Sequence, residues 1–444
     1  MNIFQEYKNK LRTPEEAVQV VRSGDWVDYG GTLSFPILLD AALAARKEEL
    51  EDVTVRSFLV DYPIQIVEQD PEQKHFIYNS WILSSYERKL FDRGLCYFIP
   101  MLFRNLPRYY RNELKVNVCM MQTTPMDDYG YFNFSINNAT ARAMIDAADV
   151  IILEINENLP RINGGEQLVH ISEVDYIVEG EHGPLYEMPI AKPTRTDELI
   201  ARQIVSRMTD GAVLQIGVGN MPNAICKQIA NSDLKNLGVH SELMADAFLD
   251  LHKQGILTNR SKWGTLFGKS VFGFAKGSKD LYDWVAEDPT MLTFPMDFVN
   301  DVRCISKINN FVSINNCISI DLYGQIAAET AGTRQISGTG GQLDFLTGAY
   351  DNTNGTSYIC LSSTFTDKNG IVHSRIKPTL TGDIVTDPRS QTNIIVTEYG
   401  MENLAGSTSW QRAEQLIRLA HPDFREDLIK AAEEQRLWRR SNKR

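Results

Sequence analysis

The chain has 444 residues, enough for two or three domains, and its 43% hydrophobic and 23% charged content is that of a globular protein. The formal net charge of −12 excludes general nucleic-acid or acidic-membrane binding, though not an anionic ligand held by backbone N–H groups and a few local cations. Six scattered cysteines with no CxxC pair, a polar and charged start, and no apolar run approaching the ~20 residues of a membrane span point to a cytoplasmic protein with buried free thiols and neither a zinc site nor a membrane segment.

Thr13-Pro14-Glu15-Glu16 opens a helix, with Thr13 as cap, Pro14 in the first turn and Glu16 closing a capping box. It ends at Ser23-Gly24. A strand over 25–29, the pair Gly30-Gly31, a helix over 36–46 and a strand at 53–55 follow. This alternation predicts α/β structure with a mostly parallel sheet. The same order returns later. Thr196 is the expected cap of a helix ending at Asp210-Gly211, followed by the strand Ala212–Ile216 and the loop Gly217-Val218-Gly219. Asp127–Tyr131 is similar to Asp367–Ile371, and Val150–Leu153 to Ile394–Thr397. Matches in a common order predict two similar open α/β domains, the second carrying insertions. The join is expected within 179–193, where Gly180, Gly183, Pro184, Pro189 and Pro193 cluster, giving domains 1–185 and 186–444 with an active site in the cleft between them. The end of the chain reads as helices with a charged, frayed tail.

Near the middle, the apolar run of Leu237-Gly238-Val239 passes into His240-Ser241-Glu242. Beyond it Leu243, Met244, Ala247, Phe248 and Leu251 recur with helical spacing. Glu242 is thus expected at a strand-to-helix junction. There a carboxylate can serve as nucleophile, general base or metal ligand, or simply favour the positive end of a helix dipole. His240, two residues earlier, shares its side if the strand continues, and is a possible site residue.

Gly217-Val218-Gly219-Asn220-Met221-Pro222 lies between a strand and a helix expected over 223–229. It is either a cradle of N–H groups for an anion or a tight connection. Pro222 breaks a dinucleotide fingerprint and disfavours a nicotinamide dehydrogenase. Ser337-Gly338-Thr339-Gly340-Gly341 is a second glycine loop, suited to close ligand approach or to surface flexibility. Glu398 ends a strand at Thr397 and reads as a structural acceptor. No GxSxG elbow, HExxH pair or P-loop lysine is present, and no metal ligand set is read.

Several of these segments together resemble the acetyl-CoA hydrolase/transferase family, and within it the 4-hydroxybutyrate and butyryl-CoA:acetate CoA-transferases. The likeness covers nearly the whole chain. Its elements are Gly217–Pro222 followed by His240-Ser241-Glu242, then Gly340-Gly341-Gln342-Leu343-Asp344-Phe345, Thr397–Gly400 and Ala420-His421-Pro422-Asp423-Phe424. Pro125–Asp127, Gly130–Asn133 and Val169–Tyr176 are also similar to family segments. Asn79–Trp81, Tyr86–Lys89 and Leu106–Tyr110 lean toward the butyryl-CoA:acetate branch, and Gly30-Gly31 stands where the 4-hydroxybutyrate branch tends to carry a histidine. Ala247 after Asp246, and Asn220 and Met221 in the loop, depart from the family pattern.

The resemblance implies that Glu242 is a nucleophile, attacking an acyl-CoA thioester and carrying CoA as a glutamyl thioester in ping-pong fashion. It implies oxyanion or CoA contacts from Gly217, Val218, Gly219, Asn220 and Met221, and CoA contacts from Asn315, Gly338, Gly340 and Gly341. Acyl-CoA and short-chain carboxylates are the implied partners, with coenzyme A entering as part of the substrate and no permanent cofactor. A homodimer or tetramer is the family expectation. Two rivals remain at this stage: an acyl-CoA hydrolase using the same glutamate, and a non-catalytic CoA-binding protein.

Overall fold

Val116–Thr123 is buried along nearly its whole length and Ala148–Ile155 over its last five residues, the pattern of parallel strands covered on both faces. The computed structural model describes residues 2–190, 192–217, 219–439 and 441. It divides into two units. One comprises Met1–Pro189, Glu242–Asp246 and Ser270–Asn300; the other comprises Ile190–Ser241, Ala247–Lys269 and Asp301–Arg444.

In the first unit, β1 (Trp26–Tyr29), β2 (Val53–Ser57), β3 (Phe76–Ser80), β4 (Tyr97–Phe98), β5 (Val116–Thr123), β6 (Ala148–Ile155) and β7 (Tyr176–Glu179) form a parallel sheet in the order β7-β6-β5-β1-β2-β3-β4, edged beyond β7 by Leu11–Arg12. Alternate side chains go to opposite faces. Val118 and Met120 pack in one core with Val27, Val55 and Ile152; Cys119 and Met121 pack in another with Leu153, Phe132 and Phe134. The expected capping box of Thr13 and Glu16 is present.

In the second unit, β8 (Val213–Ile216), β9 (Gly238–Met244, whose last three residues belong to the first unit), β10 (Phe311–Asn316), β11 (Thr356–Cys360) and β12 (Ile394–Thr397) are also parallel, in the order β12-β11-β10-β8-β9, with Gly400–Asn403 antiparallel at the edge. The helix before β8 is capped by Thr194 rather than Thr196. Thr194 Oγ1 accepts from the Asp197 N–H at 3.2 Å while the Asp197 carboxylate takes the Thr194 N–H at 2.8 Å.

Each unit thus has a central strand flanked by the next strand in sequence on one side and a later one on the other. This order makes β10 the counterpart of β5, β11 of β6 and β12 of β7. It corrects the likeness of Val150–Leu153 to Ile394–Thr397, which pairs β6 with β12, one strand out of step. The likeness of Asp127 to Asp367 is also displaced. After β10 the corresponding turn is Asp321-Leu322-Tyr323-Gly324-Gln325. All three are the same local device. An aspartate Oδ1 accepts two amides at 2.9–3.1 Å, the aspartate carbonyl accepts the glycine N–H, and glycines 130, 324 and 370 take φ of 88°, 88° and 82°. Such a turn recurs wherever a tight hairpin is needed, so its sequence marks the turn and not the repeat.

The units also differ from a division at 185/186. The chain leaves the first unit at Pro189, but Glu242–Asp246 and Ser270–Asn300 return to it. The physical reason is pairing: Met291–Thr293 lies parallel to Asn163–Gly164, with Leu292 opposite Asn163, and the Lys276 N–H donates to the Met244 carbonyl at 3.1 Å.

A buried ion pair ties β1 to β2. Asp28 and Arg56 are register partners, 0% and 2% exposed, joined by Nε–Oδ1 at 2.9 Å and Nη2–Oδ2 at 2.5 Å; the Tyr110 hydroxyl donates to Asp28 at 2.9 Å. Removing one partner strands the other charge. Arg56→Met is expected to destabilise the fold by about 3–5 kcal/mol, read as a lower urea midpoint. The double variant Asp28→Leu/Arg56→Met should recover most of that loss.

Candidate active site

Glu242 lies inside β9, which runs on through Met244; the helix begins at Asp246. Leu243 and Met244 therefore belong to the strand, not to the helix as their spacing suggested. A first-turn role for Glu242 falls with that. Asp246 occupies the helix start, where it accepts from the Ser278 N–H at 3.0 Å and the Ser278 hydroxyl at 2.5 Å. Strand alternation buries Leu243 with Phe274 and Met296 and leaves Glu242 half-buried.

Asn300 meets the Glu242 carboxylate. Its Nδ2 donates to Glu242 Oε2 at 2.8 Å, while its Oδ1 is buried without a partner among the described residues and the residue is 0% exposed. Asn300 ends the short helix Met296–Val299, its N–H bonded to the Met296 carbonyl at 3.0 Å; that helix is fixed in turn by the Met296 N–H on the Ala139 carbonyl at 2.9 Å. The sequence carries no signal for Asn300, which lies far from Glu242 along the chain and belongs to none of the segments that stood out. Another carboxylate, Glu154, ends β6 but is fully buried. It is held by the Leu38 and Leu39 N–H groups at 3.0 Å and by Gln122 and His182 at 2.8 Å. Four donors make it a structural anchor of the helix Ile37–Ala45. Glu398 is likewise occupied, accepting from the Ser363 N–H at 2.9 Å and hydroxyl at 2.6 Å.

His240 follows the strand alternation onto the side of Glu242, but it is 0% exposed and edge-on to the Phe311 ring at 6.3 Å. Phe311 stacks on Phe345. The histidine sits in the core of the second unit.

In the second unit, Gly219 stands immediately before the helix Asn220–Ala230 with φ 117°, a conformation open to glycine and strained for other residues. The helix begins three residues earlier than its expected start, so Asn220 and Met221 lie in its first turn, where N–H groups lack partners within the helix. A Cβ at Gly217 or Gly219 would meet nothing within 4 Å, so the loop leaves open space beside its backbone. Val218 lies outside the described residues. Ser241, the residue before Glu242, donates its hydroxyl to the carbonyl of Ile216, the residue before Gly217, at 3.3 Å.

Asn315 is half-buried in a closed amide ring with β8. Its Nδ2 donates to Gln215 Oε1 at 3.0 Å, Gln215 Nε2 donates to Asn315 Oδ1 at 3.1 Å, and the Ser313 hydroxyl donates to Gln215 Oε1 at 2.8 Å. Gly338, Gly340 and Gly341 run into the helix Gln342–Asp351, with Gly340 at φ 55° and Gly341 in the cap position. The loop is held from below by Glu329, which accepts from the Thr339 hydroxyl at 3.2 Å, and by Asp387, which accepts from Gln342 at 2.6 Å.

Residues 1–186 match the acetyl-CoA hydrolase/transferase N-terminal domain and residues 277–432 the C-terminal domain of the same family. The chain is 49% identical to the butyryl-CoA:acetate CoA-transferase of Anaerostipes caccae, covering 100% of both chains. It is 46% identical to a probable butyrate:acetyl-CoA coenzyme A-transferase of Syntrophomonas wolfei, covering 99% of each. The crystal structure of RipA from Yersinia pestis superposes with a TM-score of 0.89 at 36% identity, covering 98% of this chain and 100% of that one.

A hydrogen bond to a charged group contributes about 1.5–3 kcal/mol, so Asn300→Ala is expected to lower turnover about 10- to 100-fold with the protein folded. Asn300→Asp sets a second carboxylate against Glu242, so one of the two should hold its proton to higher pH. The expected outcome is a pH–rate profile displaced upward for that variant, checked against the wild type across pH 5 to 9.

Proposed function

The chain belongs to the acetyl-CoA hydrolase/transferase family and is a CoA-transferase, and we propose that it moves coenzyme A from butyryl-CoA to acetate with Glu242 as nucleophile. The observation that carries the assignment of Glu242 is its carboxylate, half-buried on a strand and oriented by a buried amide. Among the carboxylates that end strands, Glu154 and Glu398 are taken up by structural donors.

A Glu242 oxygen attacks the thioester carbonyl of butyryl-CoA. The C–S bond breaks, giving a butyryl–glutamyl anhydride and CoA thiolate. The thiolate then attacks the glutamyl carbonyl and butyrate leaves, so CoA is held as a glutamyl thioester. Acetate attacks that carbonyl, thiolate leaves again, and attack of thiolate on the acetyl carbonyl releases acetyl-CoA and restores Glu242. One difficult exchange becomes a series of easier ones.

Each tetrahedral intermediate concentrates charge on one oxygen. Asn300 Nδ2 is the donor proposed for the oxyanion at the glutamyl carbonyl, since it already meets Oε2. The amides of Gly217 to Met221 are proposed for the acyl side, each worth about 3–4 kcal/mol in comparable sites. Gly338, Gly340 and Gly341 are proposed contacts of the CoA chain. Asn315, its amide engaged by Gln215, is proposed to contribute through that fixed ring, and His240 to support Phe311 rather than touch substrate.

Both curated relatives named above carry butyryl or butyrate in their names, which favours butyryl-CoA over 4-hydroxybutyryl-CoA as donor. Among the described residues no helix is long and apolar enough to cross a membrane. A cytoplasmic location and assembly into a homodimer or tetramer belong to the proposal, the first resting on six free cysteines.

Initial rates with butyryl-CoA varied at several fixed acetate concentrations should give parallel reciprocal lines, and thioester consumption should require acetate. Glu242→Ala should lose at least ~10⁴-fold in turnover. Intersecting lines, or thioester loss independent of acetate, would replace transfer with a direct or hydrolytic reaction.

A further inference from the structure

Within the first unit, the donor to Glu242 hangs on a helix of a single turn, Met296–Val299. One turn of helix does not hold its own shape in water, so contacts from outside must fix it. Its inner side is fixed by Met296, 0% exposed, whose N–H meets the Ala139 carbonyl at 2.9 Å. Its outer side carries Asp297, and Asp297 is held by Arg111.

Arg111, in the last turn of the helix Leu106–Asn112, gives each guanidinium nitrogen to a different acid. Nη1 donates to Asp297 Oδ2 at 3.3 Å, Nη2 to Glu166 Oε2 at 3.2 Å and Nε to Asp146 Oδ2 at 3.2 Å. The acids come from three places: the one-turn helix itself, the segment after Asn163–Gly164, and the helix Ala141–Ala147. Arg142 also serves Asp146 and Glu173, each at 2.7 Å. Glu166 and Asp297 have no second cation among the described residues. An isolated ion pair with its arginine one-third exposed would contribute little. A fork shared by three acids is different, because its removal leaves three carboxylates facing one another. The one-turn helix is the element with the fewest backbone bonds of its own to resist that repulsion.

We propose that Arg111 is a positioning residue for the transfer reaction: by fixing Asp297 it holds the helix Met296–Val299 where Asn300 reaches Glu242. The inference rests on the reading of Glu242 as a nucleophile oriented by Asn300. Arg111 bonds to the three acids and not to Glu242. The Asn300 N–H closes the same turn on the Met296 carbonyl, so a tilt of that turn moves the amide that stands 2.8 Å from Glu242 Oε2.

The test couples Arg111 to Asn300. Arg111→Gln should lower kcat about tenfold, part of the ~10²-fold that a misplacement of about 1 Å can cost, with the KM for butyryl-CoA and for acetate unchanged. Arg111→Gln/Asp297→Asn takes one carboxylate out of the repulsion and should recover most of that loss. In an Asn300→Ala background the Arg111→Gln change should lower kcat no further, while its effect on the urea midpoint persists. An unchanged kcat in Arg111→Gln, or a loss of similar size without the Asn300 amide, would overturn the proposal and leave Arg111 a structural tie. If Arg111→Gln folds poorly, Arg111→Lys replaces it: one ammonium cannot serve three acids, and its smaller loss should vanish in the same background. Asn300→Ala with wild-type kcat would overturn the Asn300 reading and this proposal together. A wild type that moves no CoA to acetate would instead overturn the transferase reading. The rate at which a water-soluble carbodiimide labels Glu242 would then still decide, rising in both Asn300→Ala and Arg111→Gln if the proposal holds and in Asn300→Ala alone if it fails.

Discussion

The hydrogen bond from Asn300 to Glu242 is the interaction on which the proposed chemistry turns. A carboxylate is a weak nucleophile, and a mobile one spends little time aligned on a carbonyl carbon. A donor fixed at 2.8 Å on one oxygen limits rotation of the carboxylate and is already in place on the oxygen that would carry charge if that carboxyl became tetrahedral. The donor is itself immobile. Asn300 is buried at the end of a helix tied to Ala139, and its own side-chain oxygen has no partner among the described residues to draw the amide away. The amide orientation follows from the carboxylate, since the reverse orientation would place two acceptors face to face.

Each unit repeats one economical plan. Parallel strands end together at one edge, so the loops that follow them gather polar groups without covering the sheet. In the first unit those ends are stabilised by Glu154 receiving the first amides of a helix. In the second unit they present Gly217, Asn315 and the turn into the Gly338–Gly341 loop. Glycine is needed at 219 and 340 because the backbone there takes positive φ. Elsewhere in these loops the requirement is space beside the backbone, which nothing fills at Gly217.

Much of this was legible in the sequence, for identifiable reasons. Caps and helix starts are local, so Thr13 with Glu16 could be read directly; Thr194 was missed because Thr196 precedes the apolar spacing just as well. The α/β class followed from alternation, and strand order supports the repeated halves. The register of the repeat was misread because Asp-x-x-Gly turns are local chemistry and occur at Asp127, Asp321 and Asp367 alike. Glu242 stood out, yet its strand was cut short: Leu243 and Met244 fit a helical pattern, and only pairing with the segment that carries Lys276 keeps them extended. Asn300 was invisible, because a side chain that acts through a contact distant in sequence leaves no spacing to read.

The most direct measurement is chemical capture of the intermediate. The protein is incubated with butyryl-CoA without acetate, treated with borohydride, digested and mapped by mass spectrometry. A glutamyl thioester is reduced to an alcohol, so the account predicts a loss of mass on the peptide carrying Glu242 and its disappearance when acetate is added first. An unmodified Glu242 peptide under saturating butyryl-CoA, from protein that turns over with acetate, would contradict it.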